Sequence, residues 1–339
     1  MGERIRLLVA DGAAAKFTLR VRESPAARIF SLILPESEAE AALRASASGA
    51  DAILCYQAGI AAPVIQAAPS LRLIQKHGIN CRNIDVAAAT QRKVRVATLP
   101  LMRSVTVAEH ALALMLACAR KVIPGHQAVA GAVYREMGLE PIVTSQRNYR
   151  GNWPGIRGVS ELFQASAGIV GMGDIGMEIA KRCRAFGMNV CYYQRTPHAS
   201  DVEASLGIRY LPLDALLSAS DYVVLVIPHT PESEGLIGAR ELARMKPSAT
   251  LINVGRGGLI DEGALFAALQ AGRIAMAGLD VYRNEPLPAT SPLLTLPNVV
   301  LLPHMGGGSY RGWEVDIPAA LRNIQSFFAG GKAEGIVNA

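Results

Sequence analysis

The stretch Ala167-Gly-Ile-Val-Gly171-Met-Gly173-Asp-Ile-Gly176 sets GxGxxG directly after an aliphatic run and directly before a helical pattern over Met177–Ala185. In that strand–turn–helix setting each glycine has a task. Gly171 permits the tight turn, Gly173 lets the backbone approach a pyrophosphate, and Gly176 lets helix and strand pack closely. The helix start, with Asp174 and Ile175, then offers N–H groups and the positive end of the helix dipole to an anion. A dinucleotide-binding turn is the expectation. At the end of the next strand, Tyr192-Tyr193-Gln194-Arg195-Thr196, an amide stands where an acid for the adenosine ribose is usual, and a guanidinium follows. A carboxylate would repel a 2′-phosphate, whereas Gln194 and Arg195 accept one. NADP(H) is therefore expected to be preferred, with NAD(H) possible.

Around this turn the chain reads as α/β. Strands are expected over Arg4–Ala10, Arg28–Leu34, Asp51–Tyr56, Leu71–Lys76 and Val94–Thr98, with helices over Glu36–Ser46 and Ala61–Ala68. A second series follows: Ala167–Val170, Val190–Tyr193, Tyr222–Ile227, Thr250–Val254, Ala277–Val281 and Val299–Leu302. Alternation of strand and helix implies parallel, doubly wound sheets. The 339 residues exceed what one core usually organises, so two domains are expected. Val107–Arg120 reads as a nearly all-apolar helix, 124–158 as a partly irregular connection, and Gly312–Ala329 as a closing amphipathic helix.

Composition narrows the class. Half of the residues are apolar, 18% are charged and the net charge is +6, dispersed rather than in a run, which suits an acidic metabolite or phosphorylated cofactor as well as a polynucleotide. The five cysteines are odd in number and form no CxxC pair, so core thiols of a cytoplasmic protein are expected, with no zinc site and no other metal. The apolar run Ala111–Ala119 is shorter than the ~20 residues of a bilayer span, and no membrane or nucleic-acid partner is expected.

Four further segments bring in a resemblance. They are Gly78-Ile-Asn-Cys-Arg-Asn-Ile-Asp85; Val107-Ala-Glu-His-Ala-Leu-Ala-Leu; Met245 to Glu262, through Asn253-Val-Gly-Arg256-Gly-Gly; and Gly278-Leu-Asp280-Val-Tyr-Arg-Asn-Glu285-Pro, followed by Leu302-Pro-His304-Met-Gly-Gly307. In this order they resemble the D-isomer-specific 2-hydroxyacid dehydrogenases, particularly the glyoxylate and hydroxypyruvate reductases, over nearly the whole chain. The resemblance implies a Rossmann cofactor domain (106–308) inserted in a discontinuous flavodoxin-like substrate domain (1–105 and 309–339), with hinges near Val105 and Gly308. It implies Arg256, Glu285 and His304 as the catalytic residues. His304 would donate a proton to the carbonyl oxygen, Glu285 would orient the ring and favour its charged form, and Arg256 would hold the substrate carboxylate. Gln57, Gly78, Ile79 and Asn80 would join Arg256 and His304 around the substrate. Thr196, Ile227, Pro228, Val254, Gly255, Arg256, Asp280, His304, Gly306 and Gly307 would join the residues of the two cofactor loops, with Asp280 on the nicotinamide amide.

The loop departs from the family pattern in carrying Asn80 where a second glycine is usual and Arg82 where an aspartate is frequent. His77 adjoins that loop and His110 lies in the apolar helix, where a structural role is expected. Asp85 and Asp261 read as caps or turn residues. Tyr149, Trp153, Tyr310 and Trp313 border either a pocket, an interface or a core. The expected activity is NAD(P)H-dependent reduction of a 2-oxo acid to a D-2-hydroxy acid by a homodimer. The rivals are a phosphoglycerate dehydrogenase-like enzyme and a nucleotide-sensing interaction protein on the same scaffold.

Overall fold

The computed structural model describes residues 4–307 and 312–338; Tyr310 and the hinge expected near Gly308 lie outside them. The chain divides into two compact units, Met1–Val105 with Ser309–Ala339, and Thr106–Gly308.

The smaller unit holds β1 (Arg6–Val9), β2 (Ser31–Ile33), β3 (Ala52–Cys55), β4 (Leu73–His77) and β5 (Arg95–Leu99), all parallel in the order β2-β1-β3-β4-β5. That is the flavodoxin-like order, whose direction reverses between β1 and β3. Side chains alternate between two cores. Leu8, Ile53, Ile74 and Val96 face one, while Leu7, Val9, Leu54 and Leu73 face the other, which the helix Gly312–Phe328 closes with Ile317, Leu321 and Ile324. The outer edge of β5 is also covered from the C-terminal side: Val96 donates to Asn338, Thr98 to Gly335, and Val337 to Val96.

The larger unit continues with β6 (Ser166–Val170), β7 (Asn189–Tyr193), β8 (Ile208–Tyr210), β9 (Tyr222–Leu225), β10 (Thr250–Asn253), β11 (Met276–Leu279) and β12 (Val299–Leu301). Their order, β12-β11-β10-β9-β6-β7-β8, is the doubly wound dinucleotide order extended by one strand. Strands buried on both faces explain their continuous apolar runs. Ala167, Ile169, Val224 and Ile252 pack on one side, and Val170, Val223, Leu225 and Leu251 on the other.

Several boundaries differ from the sequence expectation. The segment expected as a strand from Arg28 begins as a 3-10 turn at Pro25–Ile29, because Pro25 presets a helical φ; only Ser31–Ile33 pairs. The helix Lys16–Glu23 was not expected; its apolar residues Phe17, Leu19 and Val21 stand at alternate positions, a spacing that also suits a strand. Short strand β8 escaped notice because it contributes only three residues at a sheet edge. In the connection 124–158, a helix covers Val122–Ala130 and a 3-10 turn Val133–Arg135, and the next helix or strand is β6. The apolar helix spans Met102–Ala119 and is long and apolar enough to cross a membrane, beyond what the run Ala111–Ala119 indicated. Half of it is nevertheless buried, with Ala108, Ala111, Leu114, Met115 and Cys118 in the core of the larger unit.

Asp85 and Asp261 cap helices, accepting the N–H groups of Ala88 and Ala264 at 2.9 and 3.0 Å. Cys55, Cys118, Cys183 and Cys191 are buried free thiols, and burial pushes the first three up to about 12.

His77, at the end of β4, is 2% exposed and packs against Phe17 and Tyr56, with ring centroids 4.8 and 5.3 Å away. Burial, and then the neighbouring Lys76 charge, lower its pKa from 6.5 to about 3. The unfolded chain therefore binds a proton that the folded chain refuses between those values. The stability this confers is complete above pH 6.5 and is lost as pH falls toward 3. Unfolding of the smaller unit, followed by Trp313 fluorescence in a Trp153→Phe background, should show ~2 kcal/mol less stability at pH 5.0 than at 7.5. His77→Phe should flatten that difference; an unchanged slope would assign the loss to other groups.

Candidate active site

Parallel α/β sheets bind ligands beyond the carboxyl ends of their strands, where strand order reverses. In the larger unit that point lies between β6 and β9, and the glycine turn occupies it. Gly171 has φ +109° and Gly171 N–H donates to Tyr193 O at 2.9 Å. A Cβ at Gly171 would lie 2.6 Å from Ile227 and one at Gly176 would lie 2.1 Å from Gly171 O, so both positions require glycine. At Gly173 the same test meets nothing within 4 Å, and no side chain caps the helix Asp174–Ala185 that starts there. Open space beside an uncapped helix N-terminus fits the diphosphate of a dinucleotide. The loop after β7 is closed on itself, since Gln194 Nε2 donates to Thr196 O at 2.7 Å. Ile227 and Pro228 lie beyond the carboxyl end of β9, the strand beside β6.

The other candidate residues follow three adjacent strands: Arg256 after β10, Glu285 after β11 and His304 after β12. Arg256 projects from a loop braced by Asn253, whose amide donates to Arg256 O at 2.9 Å and accepts from Gly255 N–H at 3.1 Å. Arg256 Nη1 donates to Gly255 O at 2.6 Å. Gly257, next in the loop, presses on the Glu285 turn: a Cβ there would sit 1.8 Å from the carbonyl carbon of Tyr282. Within that turn Tyr282 N–H donates to Glu285 Oε1 at 3.1 Å, and Tyr282 Oη donates to Leu302 O at 2.8 Å, tying it to the segment that carries His304.

Glu285 Oε2 lies 2.6 Å from His304 Nδ1. The ring is 42% exposed, and the residue holds φ +55°, a left-handed conformation uncommon outside glycine. Asp280 holds the chain just beyond it. Its carboxylate, 2% exposed, accepts Met305 N–H at 3.0 Å and Gly306 N–H at 2.9 Å. The same carboxylate lies 2.9 Å from His110 Nε2, without the alignment of a hydrogen bond. Asp280 and Gly306, both expected on the cofactor, are thus already engaged with one another. Val254 is buried, and Gly255 is enclosed by Leu259 and the Ile227 carbonyl.

The residues expected around the substrate carboxylate lie in the smaller unit. Gly78 has φ +113°, and Asn80 Oδ1 accepts Arg82 N–H at 3.1 Å, so the asparagine builds a local turn of its own. Sequence reasoning missed Asp11. At the β1/β3 reversal its buried carboxylate accepts the N–H groups of Tyr56, Gln57 and Ala58 at 2.6, 2.5 and 3.1 Å, fixing the backbone that presents Gln57. A carboxylate directly after a buried strand was the available signal. Lys76 Nζ, also buried, donates to Tyr56 O. Trp313 packs edge-on to Phe17 and Trp153 to Tyr134, while Tyr149 is exposed. Among the described residues no group of histidine, cysteine and carboxylate side chains could hold a metal.

Residues 112–306 match the D-isomer specific 2-hydroxyacid dehydrogenase, NAD binding domain. The chain is 37% identical over 279 residues to a glyoxylate reductase of Korarchaeum cryptofilum, covering 82% of this chain and 80% of that one. It is 36% identical over 310 residues to glyoxylate/hydroxypyruvate reductase B of Yersinia pestis, covering 91% and 90%. Its fold matches a structure of an NADPH-dependent glyoxylate/hydroxypyruvate reductase from Sinorhizobium meliloti in complex with NADP and malonate, with TM-score 0.53, 31% identity and coverage of 99% and 97%. The chain belongs to the D-isomer specific 2-hydroxyacid dehydrogenase family and is an NAD(P)-dependent oxidoreductase.

Proposed function

We propose that the protein reduces a small 2-oxo acid of the glyoxylate or hydroxypyruvate class to its D-2-hydroxy acid, reversibly, with NADPH preferred over NADH. The observation that carries the reading is the 2.6 Å pairing of His304 with Glu285 at the end of a strand two places from the Arg256 loop. The bound nicotinamide supplies the hydride. His304 directs Nδ1–H at Glu285, which leaves Nε2 as the atom that gives a proton to the substrate's carbonyl oxygen. Glu285 holds the ring in place and stabilises the imidazolium electrostatically. Arg256 takes the substrate carboxylate with its fork of donors. The larger unit serves as the cofactor domain, and the smaller one reads the substrate.

Two features support the NADPH preference. Gln194 and Arg195 put no carboxylate at the end of β7, and the Sinorhizobium meliloti relative is NADPH-dependent. Exposed Val122, Val129, Met137, Val143 and Tyr149, all within one segment, support a homodimer. Sedimentation should give twice the chain mass, and a monomer at micromolar concentration would remove that part of the reading.

The deciding experiment follows oxidation of NADPH and NADH against glyoxylate, hydroxypyruvate, pyruvate, phenylpyruvate and branched 2-oxo acids. Turnover of at least one acid, with the larger kcat/KM for NADPH, is expected. Tight dinucleotide binding without turnover across the panel would favour a sensor instead. A large NADH preference would overturn the assignment of Gln194 and Arg195.

A further inference from the structure

His198 has no place in the reaction derived above, yet it joins three elements of the cofactor domain. Its backbone N–H donates to Tyr192 Oη at 2.8 Å, and its ring Nε2 lies 2.9 Å from Met172 O. Tyr192, fully buried at the end of β7, donates in turn to Glu203 Oε1 at 2.7 Å, on the helix Ser200–Leu206. The carbonyl of Met172 accepts hydrogen only, so the ring's Nε2 carries a proton and donates it. Met172 is the residue between Gly171 and Gly173. Its carbonyl shares a rigid peptide plane with the Gly173 N–H, and in a trans peptide the two point opposite ways. Fixing the carbonyl toward His198 therefore aims the Gly173 N–H to the other side. His198 lies three residues beyond Arg195, so the pinned loop is the one that carries Gln194, Arg195 and Thr196.

We propose that His198 is a positioning residue for the dinucleotide, latching the loop that reads the adenosine ribose to the turn that receives the diphosphate. The two recognition elements are then held as one rigid piece before the cofactor arrives, which lowers the ordering cost of binding. Burial pushes the Tyr192 phenol up to about 12, so the other anchor stays a neutral donor across the working pH range. The inference rests on the reading that the 171–176 turn holds the cofactor diphosphate.

The test is fluorescence titration of NADPH and NADH, with ADP-ribose as competitor, into the full chain and its variants. His198→Phe keeps a planar ring but cannot donate, and should raise the Kd of all three about tenfold while leaving kcat at saturating cofactor within twofold. His198→Gln returns an amide donor and should recover to within threefold of the parent Kd. If His198→Phe does not fold, Tyr192→Phe removes the phenol that receives His198 N–H and should raise the same Kd values about threefold. A fall in the number of binding sites at unchanged Kd would mean structural support only and would overturn the proposal. So would Kd values within twofold in His198→Phe, or no recovery in His198→Gln. A parent chain that binds neither dinucleotide would instead remove the reading of the 171–176 turn.

Discussion

His304→Asn should lower kcat for 2-oxo acid reduction about a thousandfold, equivalent to ~4 kcal/mol of barrier. Asparagine suits this position because it tolerates the left-handed backbone better than most residues, and the native φ is +55°. Its amide N–H group can replace Nδ1 in donating to Glu285, but nothing replaces Nε2. Fold, Glu285 contact and cofactor affinity should therefore persist while the proton donor is lost. The check is kcat alongside the NADPH Kd and the melting temperature. A variant keeping more than a tenth of parental kcat would remove His304 as the acid.

Gly257→Ala should unfold the larger unit at a melting temperature roughly 10 °C or more below the parent, a cost of ~4 kcal/mol or above. The added methyl would meet Tyr282 C at 1.8 Å, Tyr282 O at 2.0 Å and Arg283 N at 2.3 Å. These are main-chain atoms that cannot swing aside as a side chain does. Either the Arg256 loop or the Glu285 turn must move, so activity should fall in whatever fraction still folds. Gly173→Ala is the contrast. Its methyl meets nothing within 4 Å and its φ is −85°, so the melting temperature should stay within a degree or two while NADPH binding weakens. Differential scanning calorimetry with a NADPH titration separates the two outcomes. Equal melting temperatures for both variants would mean that the Arg256 and Glu285 loops do not brace one another.

The legible features were those whose physics is local. GxGxxG between a strand and a helix needs only a tight turn and a close approach, and the spacing states both. The central strands of both sheets are legible because burial on two faces leaves unbroken aliphatic runs, which the edge strands β2 and β8 lack. Asp11 and His198 were not legible, since their worth comes from partners tens of residues away: Tyr56 N–H for one, the Met172 carbonyl for the other. Asp280 shows the same limit differently. A strand-end carboxylate reads equally well as a cofactor ligand or a brace, and only the N–H groups of Met305 and Gly306 on its oxygens reveal the brace. The segment from Arg28 was misjudged because Pro25 acts on residues after it, a local effect hidden beneath an aliphatic pattern.

The closure of β5 by Gly335–Asn338 has a consequence for biosynthesis. A chain leaving the ribosome has the last strand of the larger sheet in hand at Leu301, yet the smaller sheet keeps an open edge until Asn338 has emerged. The half made first is thus finished last. Its nascent strands must wait, exposed to chaperones and to mispairing, while the larger unit folds inside the interruption.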